Sequence, residues 1–216
     1  MFITLEGGEG AGKTTQQALL AERLQQEGYP CLCTREPGGT ALGKKLRALL
    51  LHGDPISPLA ELLLYAADRA EHVQTRIRPA LAAGQVVVCD RFTDSTLAYQ
   101  GYGRGLDLEL VRQLNQLATG NLQPHLTLWL DLPPQLGLVR ARSRQTAPVS
   151  GTESLQSSQG DRMEQAQLPF HLQLYQGFQE LAATEPQRIA RIDAQGSPEE
   201  VAERIWSVVK SRLPQG

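Results

Sequence analysis

The sequence predicts an α/β fold: a five-stranded parallel sheet with helices on both faces, built by a single domain over 1–216. Three observations predict it. Short apolar runs of strand length alternate with longer segments of helical spacing, the pattern of parallel strands joined by helical crossovers. One run, "QVVVCDR" at 85–91, is continuously apolar and ends in an acid and a base, as a central parallel strand reads when both its faces are covered. A glycine-rich loop, "GGEGAGKTT" at 7–15, joins the first apolar run to the first helical one.

Each element follows in order. Phe2 to Glu6 reads as a short buried strand. Lys13 to Glu27 carries helical spacing through Ala18, Leu19, Ala21 and Leu24, and Gly28 ends it. Pro30 to Arg35 is a second strand, and Ala41 to Leu51 a helix after the turn "EPGGT". Ser57 supplies a capping hydroxyl and Pro58 a first-turn proline; the helix they start runs through Leu59 to Ala67 toward Ala83, with a kink or restart at Pro79. The third strand is 85–91, and helical stretches follow it to Gly120. "HLTLWLD" (125–131) and "RIARID" (188–193) are the fourth and fifth strands, each after a helix-like segment. Ser197 and Glu200 form a capping box around Pro198 for a closing helix. One stretch breaks the rhythm. "QTAPVSGTESLQSSQG" (145–160) has too few apolar residues to pack, and reads as a surface loop that is either an inert insertion or a gating element.

Composition narrows the function classes. The content is 41% hydrophobic and 20% charged, with a formal net charge of -2. That charge supplies no overall basic field, so nucleic acid is not an expected partner, and anions must be met by local arginine clusters. The amino terminus has no signal-peptide pattern and no apolar run reaches membrane-spanning length, which leads to the expectation of a cytoplasmic protein without a membrane partner. Cys31, Cys33 and Cys89 lie in strand-like stretches and are expected as buried, reduced thiols; no second Cys/His pair stands at zinc-ligand spacing.

Gly7, four residues, then Gly12, Lys13 and Thr14 match the phosphate-loop pattern, in the strand-loop-helix setting that the pattern requires. The fold is therefore expected to be of the P-loop NTPase type, with Gly7, Gly8, Glu9, Gly10, Ala11, Gly12, Lys13, Thr14 and Thr15 around the phosphates of ATP. Lys13 would reach the β- and γ-phosphates and the Thr14 hydroxyl would ligate Mg²⁺. An Asn-Lys-x-Asp guanine motif is missing from the sequence, which lowers the GTPase class.

"TREPGGT" (34–40), "DRFTDSTLAYQG" (90–101) and "DRME" (161–164), together with "LEGGEGAGKTT", resemble the thymidylate kinase family, and the likeness runs from Phe2 to about 201. The resemblance implies transfer of the γ-phosphate of ATP to dTMP, giving dTDP and ADP, in a homodimer, for which the helical stretches 58–83 and 92–118 offer an interface. Another nucleoside monophosphate kinase, or a nucleotide-gated switch, are the rival readings.

Each residue makes physical sense in the implied role. Asp90 and Arg91 close the third strand at the edge where ligands bind in such sheets. There Arg91 would grip the acceptor phosphate with its planar fork, and Asp90 would organise the Mg²⁺ shell; a purely structural ion pair is the plainer reading. Tyr65 and Arg69 share a helix face at i, i+4, with His72 one turn further on. The resemblance gives the base to Tyr65 by stacking and to Arg69 by its edge, while an amphipathic helix with Tyr65 in the core would also explain the spacing. Pro37, Ser95, Thr96, Tyr99 and Gln100 join the substrate pocket by the same likeness, with Thr96 and Gln100 near the base and Tyr99 beside the sugar. Glu9 would approach the acceptor's 3′-hydroxyl. Because Gly10 and Ala11 leave the loop without a cation beyond Lys13, the missing charge is assigned to a lid at about 140–166 carrying Arg140, Arg142, Arg144 and Arg162.

Overall fold

The computed structural model describes residues 1–146 and 166–213, with backbone alone for 144–146. Five strands form one parallel sheet: β1 (Phe2–Glu6), β2 (Cys31–Arg35), β3 (Val86–Asp90), β4 (Leu126–Asp131) and β5 (Ile189–Asp193), in the order β2-β3-β1-β4-β5. Helices α1 (Lys13–Gln26), α2 (Ala41–His52), α3 (Pro58–His72), α4 (Arg78–Ala82), α5 (Thr93–Thr96), α6 (Leu108–Thr119), α7 (Pro134–Thr146), α8 (Leu168–Thr184) and α9 (Pro198–Lys210) alternate with them.

Successive residues of β1 point to opposite layers, as the two-residue period of a strand demands. Ile3 and Leu5 pack with Leu20 and Leu24 of α1 and Val201 and Ile205 of α9. Phe2 faces the other way, into a cluster with Val73, Ile77 and Phe92. A third cluster gathers Leu62 of α3, Val111 of α6 and Leu174 and Phe178 of α8 around Trp129 of β4. The sheet is thus covered on both faces, and its central strands are buried along their whole length.

Ser57 caps α3 with proline in the first turn, Thr40 caps α2, and the Ser197–Glu200 capping box opens α9. The long helix from Pro58 does not restart at Pro79 but runs on through a π turn, Val73–Ile77, into α4, the backbone staying right-handed helical at His72, Ile77 and Arg78. Proline has no N–H for the preceding turn and its ring crowds that turn, so a widened turn relieves both. A second π turn, Leu97–Gly103, extends α5. The cysteine expectation is corrected in part. Cys89 is buried, but Cys31 is half-buried and Cys33 exposed, because β2 lies at the sheet edge with its outer side uncovered. Among the described residues no helix is long and apolar enough to cross a membrane. The stretch 147–160, most of the expected surface loop, lies outside the described residues, as do Arg162 and the "DRME" motif.

Candidate active site

The loop after β1 turns into α1 at Gly12, whose left-handed backbone ends the loop. Lys13 is buried and folds back across it, its Nζ donating to the carbonyls of Gly7 (3.1 Å) and Gly8 (2.8 Å). Burial above all, then the neighbouring Arg91, lowers the Lys13 ammonium to about 8, against the pull of Glu9, Asp90 and Glu6. The Thr14 hydroxyl donates to Asp90 Oδ2 at 2.8 Å, while Asp90 Oδ1 is buried without a hydrogen-bond partner. Gly10 has φ +70°, and a Cβ there would run into the backbone of Gly137 on α7; one at Gly137 would strike the Glu9 carbonyl. Glycine at both positions is what lets the loop and α7 touch backbone to backbone.

Beyond β3 the chain turns sharply at Arg91, a non-glycine residue at φ +70°. Two bonds to Glu6 hold the turn. Its Oε1 accepts the Phe92 N–H at 2.7 Å and its Oε2 accepts the Ser95 hydroxyl. Arg91 Nη1 donates to the Gly7 carbonyl (3.1 Å) and Ser95 Oγ (3.3 Å), Nη2 to Glu9 Oε1 (2.7 Å), and the guanidinium lies 4.8 Å from the Tyr99 ring centroid. Tyr99 also donates its hydroxyl to Glu9 Oε1 at 2.6 Å. Burial pushes the Glu9 carboxyl up, but Arg91, Lys13 and the Tyr99 hydrogen bond outweigh it and hold the group at about 2. An ion pair of Arg91 and Glu9 therefore stands at the joint between the phosphate loop and the space beside it.

That space is a cavity of about 220 Å³. Glu9, Gly10, Gly12, Lys13, Thr14 and Thr15 line it from the loop, and Pro37, Tyr65, Arg69, Asp90, Arg91, Ser95, Thr96, Tyr99 and Gln100 are among the residues on its other walls. The structure thus brings together most of the expected phosphate-loop residues and all of those expected around the acceptor, but neither Arg140 nor Arg142 of the expected lid. Tyr65 is half-buried and borders the cavity, so the core-only reading of its helix face does not hold. Gly7 and Gly8 do not border the cavity but accept from Lys13 through their carbonyls, and Ala11 is packed into the core. His72 points elsewhere, between Glu36 Oε1 (2.9 Å) and Thr34 Oγ1 (2.6 Å). Arg140 is tied to the Ala194 carbonyl at 3.1 Å, and Arg142 is exposed on α7 and does not border the cavity. The Arg144 side chain lies outside the described residues.

Sequence reasoning missed Glu6 and Glu36, the buried carboxylates that hold Arg91's turn and Arg69, and also Arg35, Arg47, Leu51 and Phe92 on the cavity wall. Glu36 lay within a quoted motif, and an acid beside strand-end arginines was its available signal; Glu6 offered its place as the one charged residue in a strand with five buried positions.

A parallel sheet with a phosphate loop after β1, and an arginine-lined cavity continuous with that loop, defines a P-loop nucleotide-binding protein. The thymidylate kinase family model matches residues 5–205. Thymidylate kinase of Synechococcus sp. (strain JA-2-3B'a(2-13)) is 76% identical over 214 residues, covering 99% of this chain and 96% of the relative. Thymidylate kinase of Syntrophotalea carbinolica is 53% identical over 214 residues, covering 98% and 96%. The crystal structure of thymidylate kinase from Ehrlichia chaffeensis matches with a TM-score of 0.75 and 34% identity, over 97% of this chain and 98% of that one. The chain belongs to the thymidylate kinase family.

Proposed function

We infer that the chain is an ATP-dependent kinase that transfers the γ-phosphate of ATP to dTMP, giving dTDP and ADP, and so serves nucleotide biosynthesis. The observation that carries this reading is the arginine-lined cavity contiguous with the phosphate loop, with Arg91 and Glu9 at the join, in a chain of this family. ATP phosphates take the loop of Gly7 to Thr15. The Arg91 fork takes the acceptor phosphate, Tyr65 and Arg69 take the base, and Pro37, Ser95, Thr96, Tyr99 and Gln100 close the pocket around sugar and base. The acceptor oxygen is already anionic, so no strong base is needed; holding two phosphates in line and offsetting their charge is the catalytic task. Lys13 offsets charge on the donor side and Arg91 on the acceptor side, and Glu9 fixes Arg91 between turnovers.

The donor set at Asp90 and Thr14 fits Mg²⁺. A hydroxyl and a carboxylate lie together, and the carboxylate keeps one buried oxygen without a partner, as a hard cation that prefers oxygen ligands requires. When bound, the ion draws charge from the phosphates. Arg142, Arg144 and Arg162 belong to a lid at about 140–166 that completes the charge neutralisation in an otherwise single-domain chain. A homodimer is supported by exposed leucines on packed helices: Leu59 and Leu63 on α3, Leu110 and Leu117 on α6. The enzyme is read as cytoplasmic, with ATP and dTMP rather than membrane or nucleic acid as its partners.

The test is ADP formation from Mg²⁺-ATP with no acceptor and with dTMP, dUMP, UMP, CMP or AMP, for the wild-type chain and Arg91→Ala. Turnover should depend on dTMP, with some dUMP turnover because one methyl is worth about 1 to 3 kcal/mol in a pocket. Arg91→Ala should lower dTMP turnover about a hundredfold, as loss of a phosphate-gripping guanidinium implies, while leaving ATP affinity unchanged. Turnover led by another monophosphate would reassign the base pocket. ATP binding with no acceptor dependence would make the chain a nucleotide switch instead.

A further inference from the structure

The Arg69 guanidinium is gripped from three sides. Nε donates to Glu36 Oε2 at 2.8 Å, Nη1 to Asn115 Oδ1 at 2.6 Å and Nη2 to the Phe92 carbonyl at 3.0 Å. A guanidinium carries five N–H groups, so one on each terminal nitrogen is left for a ligand. Arg69 is 2% exposed and yet borders the cavity, so a ligand would meet it away from water, where a mismatched hydrogen bond costs most.

Of the three acceptors, Asn115 is the one contributed by a separate helix. It sits on α6, is buried, and does not border the cavity. Its Nδ2 donates to the Thr93 carbonyl at 3.3 Å, so the amide oxygen is turned toward Arg69. Rotating the amide would set its NH₂ against a guanidinium N–H and its oxygen against a carbonyl, so the orientation shown is the one that satisfies both ends.

We propose that Asn115 is a specificity-determining positioning residue: its amide oxygen holds the Arg69 guanidinium in the orientation that selects a pyrimidine monophosphate with a carbonyl at the base's 4-position over one with an amino group there. This rests on the reading that Arg69 meets the acceptor base. A 4-carbonyl accepts from the guanidinium, whereas the 4-amino group of cytosine sets donor against donor, a penalty that is enforced only while the guanidinium cannot swing aside.

The experiment compares steady-state kinetics of the full chain with dTMP and dCMP, at varied ATP, for wild type, Asn115→Ala, Asn115→Asp and Arg69→Ala. Asn115→Ala should raise the dTMP KM and lower the dTMP-to-dCMP ratio of kcat/KM, each by about tenfold, the scale of one charge-assisted hydrogen bond, with the ATP KM unchanged. Asn115→Asp keeps an acceptor for Arg69 but gives up the donor to the Thr93 carbonyl, so it should retain more of the discrimination than Asn115→Ala does. If Asn115→Ala changes neither, or lowers kcat for both acceptors alike, while Arg69→Ala loses the discrimination, the proposal falls and the reading of Arg69 stands. If Arg69→Ala is itself neutral, both fall. Should Asn115→Ala fail to fold in a thermal melt, Asn115→Asp decides: a folded variant that has lost discrimination overturns the proposal.

Discussion

Glu6 and Glu9 stand three residues apart and titrate in opposite directions. Burial first, then the Asp94 carboxylate, raises Glu6 from its ordinary 4.5 to about 7, against the Ser95 and Phe92 hydrogen bonds and Arg91. A carboxyl that protonates more readily in the folded chain adds stability that is full below pH 4.5 and is lost as pH rises through about 7. Glu9 is held at about 2, so its contribution is present above 4.5 and is lost only as pH falls toward 2. Glu6→Gln should therefore flatten the neutral side of the stability profile. In urea melts, the wild-type midpoint should fall between about pH 4.5 and about 7 by more than the variant's does; equal falls would show that Glu6 does not titrate in this range. The two acids share the task of keeping Arg91 in place, Glu6 through the backbone after it and Glu9 through its guanidinium.

The contact between the phosphate loop and α7 involves no side chain on either glycine, and the strain of adding one can be sized. A left-handed non-glycine residue costs about 1 to 3 kcal/mol, and Gly10→Ala adds a collision with the Gly137 backbone. Calorimetric titration should show ATP affinity falling about tenfold or more, while a Gly10→Ala chain that binds ATP as wild type would mean that the loop accommodates the methyl group. Elements of this kind were readable to different depths. All five strands, the phosphate loop and the Ser197–Glu200 capping box were legible, because each is written in consecutive residues with a local physical cause. That Pro79 disturbs its helix was legible for the same reason, but the form this takes, a π turn before it and no restart, was not. Nor was the Glu36–Arg69–Asn115 network, whose members are separated by 33 and 46 residues and meet only after α3 and α6 pack. The exposure of Cys33 was hidden too, since strand order, and hence which strand is the edge, is not a local property.

At the scale of the whole molecule, the four exposed leucines of α3 and α6 lie across one pair of packed helices, and Leu117 is 79% exposed. Burying these side chains against a second copy would remove apolar surface that a lone chain leaves in water. Light scattering after size exclusion should give twice the chain mass for wild type and a single chain mass for the double variant Leu63→Glu, Leu117→Glu; a wild-type monomer at micromolar concentration would remove the dimer from the proposal. The same two helices reach inward as well, since α3 carries Tyr65 and Arg69, which line the cavity, and α6 carries Asn115, which holds Arg69. The meeting of Gly10 and Gly137 works along the other axis of the molecule. With no side chain between them, the loop and the first turn of α7 stand backbone against backbone, so neither can approach the other further without a clash.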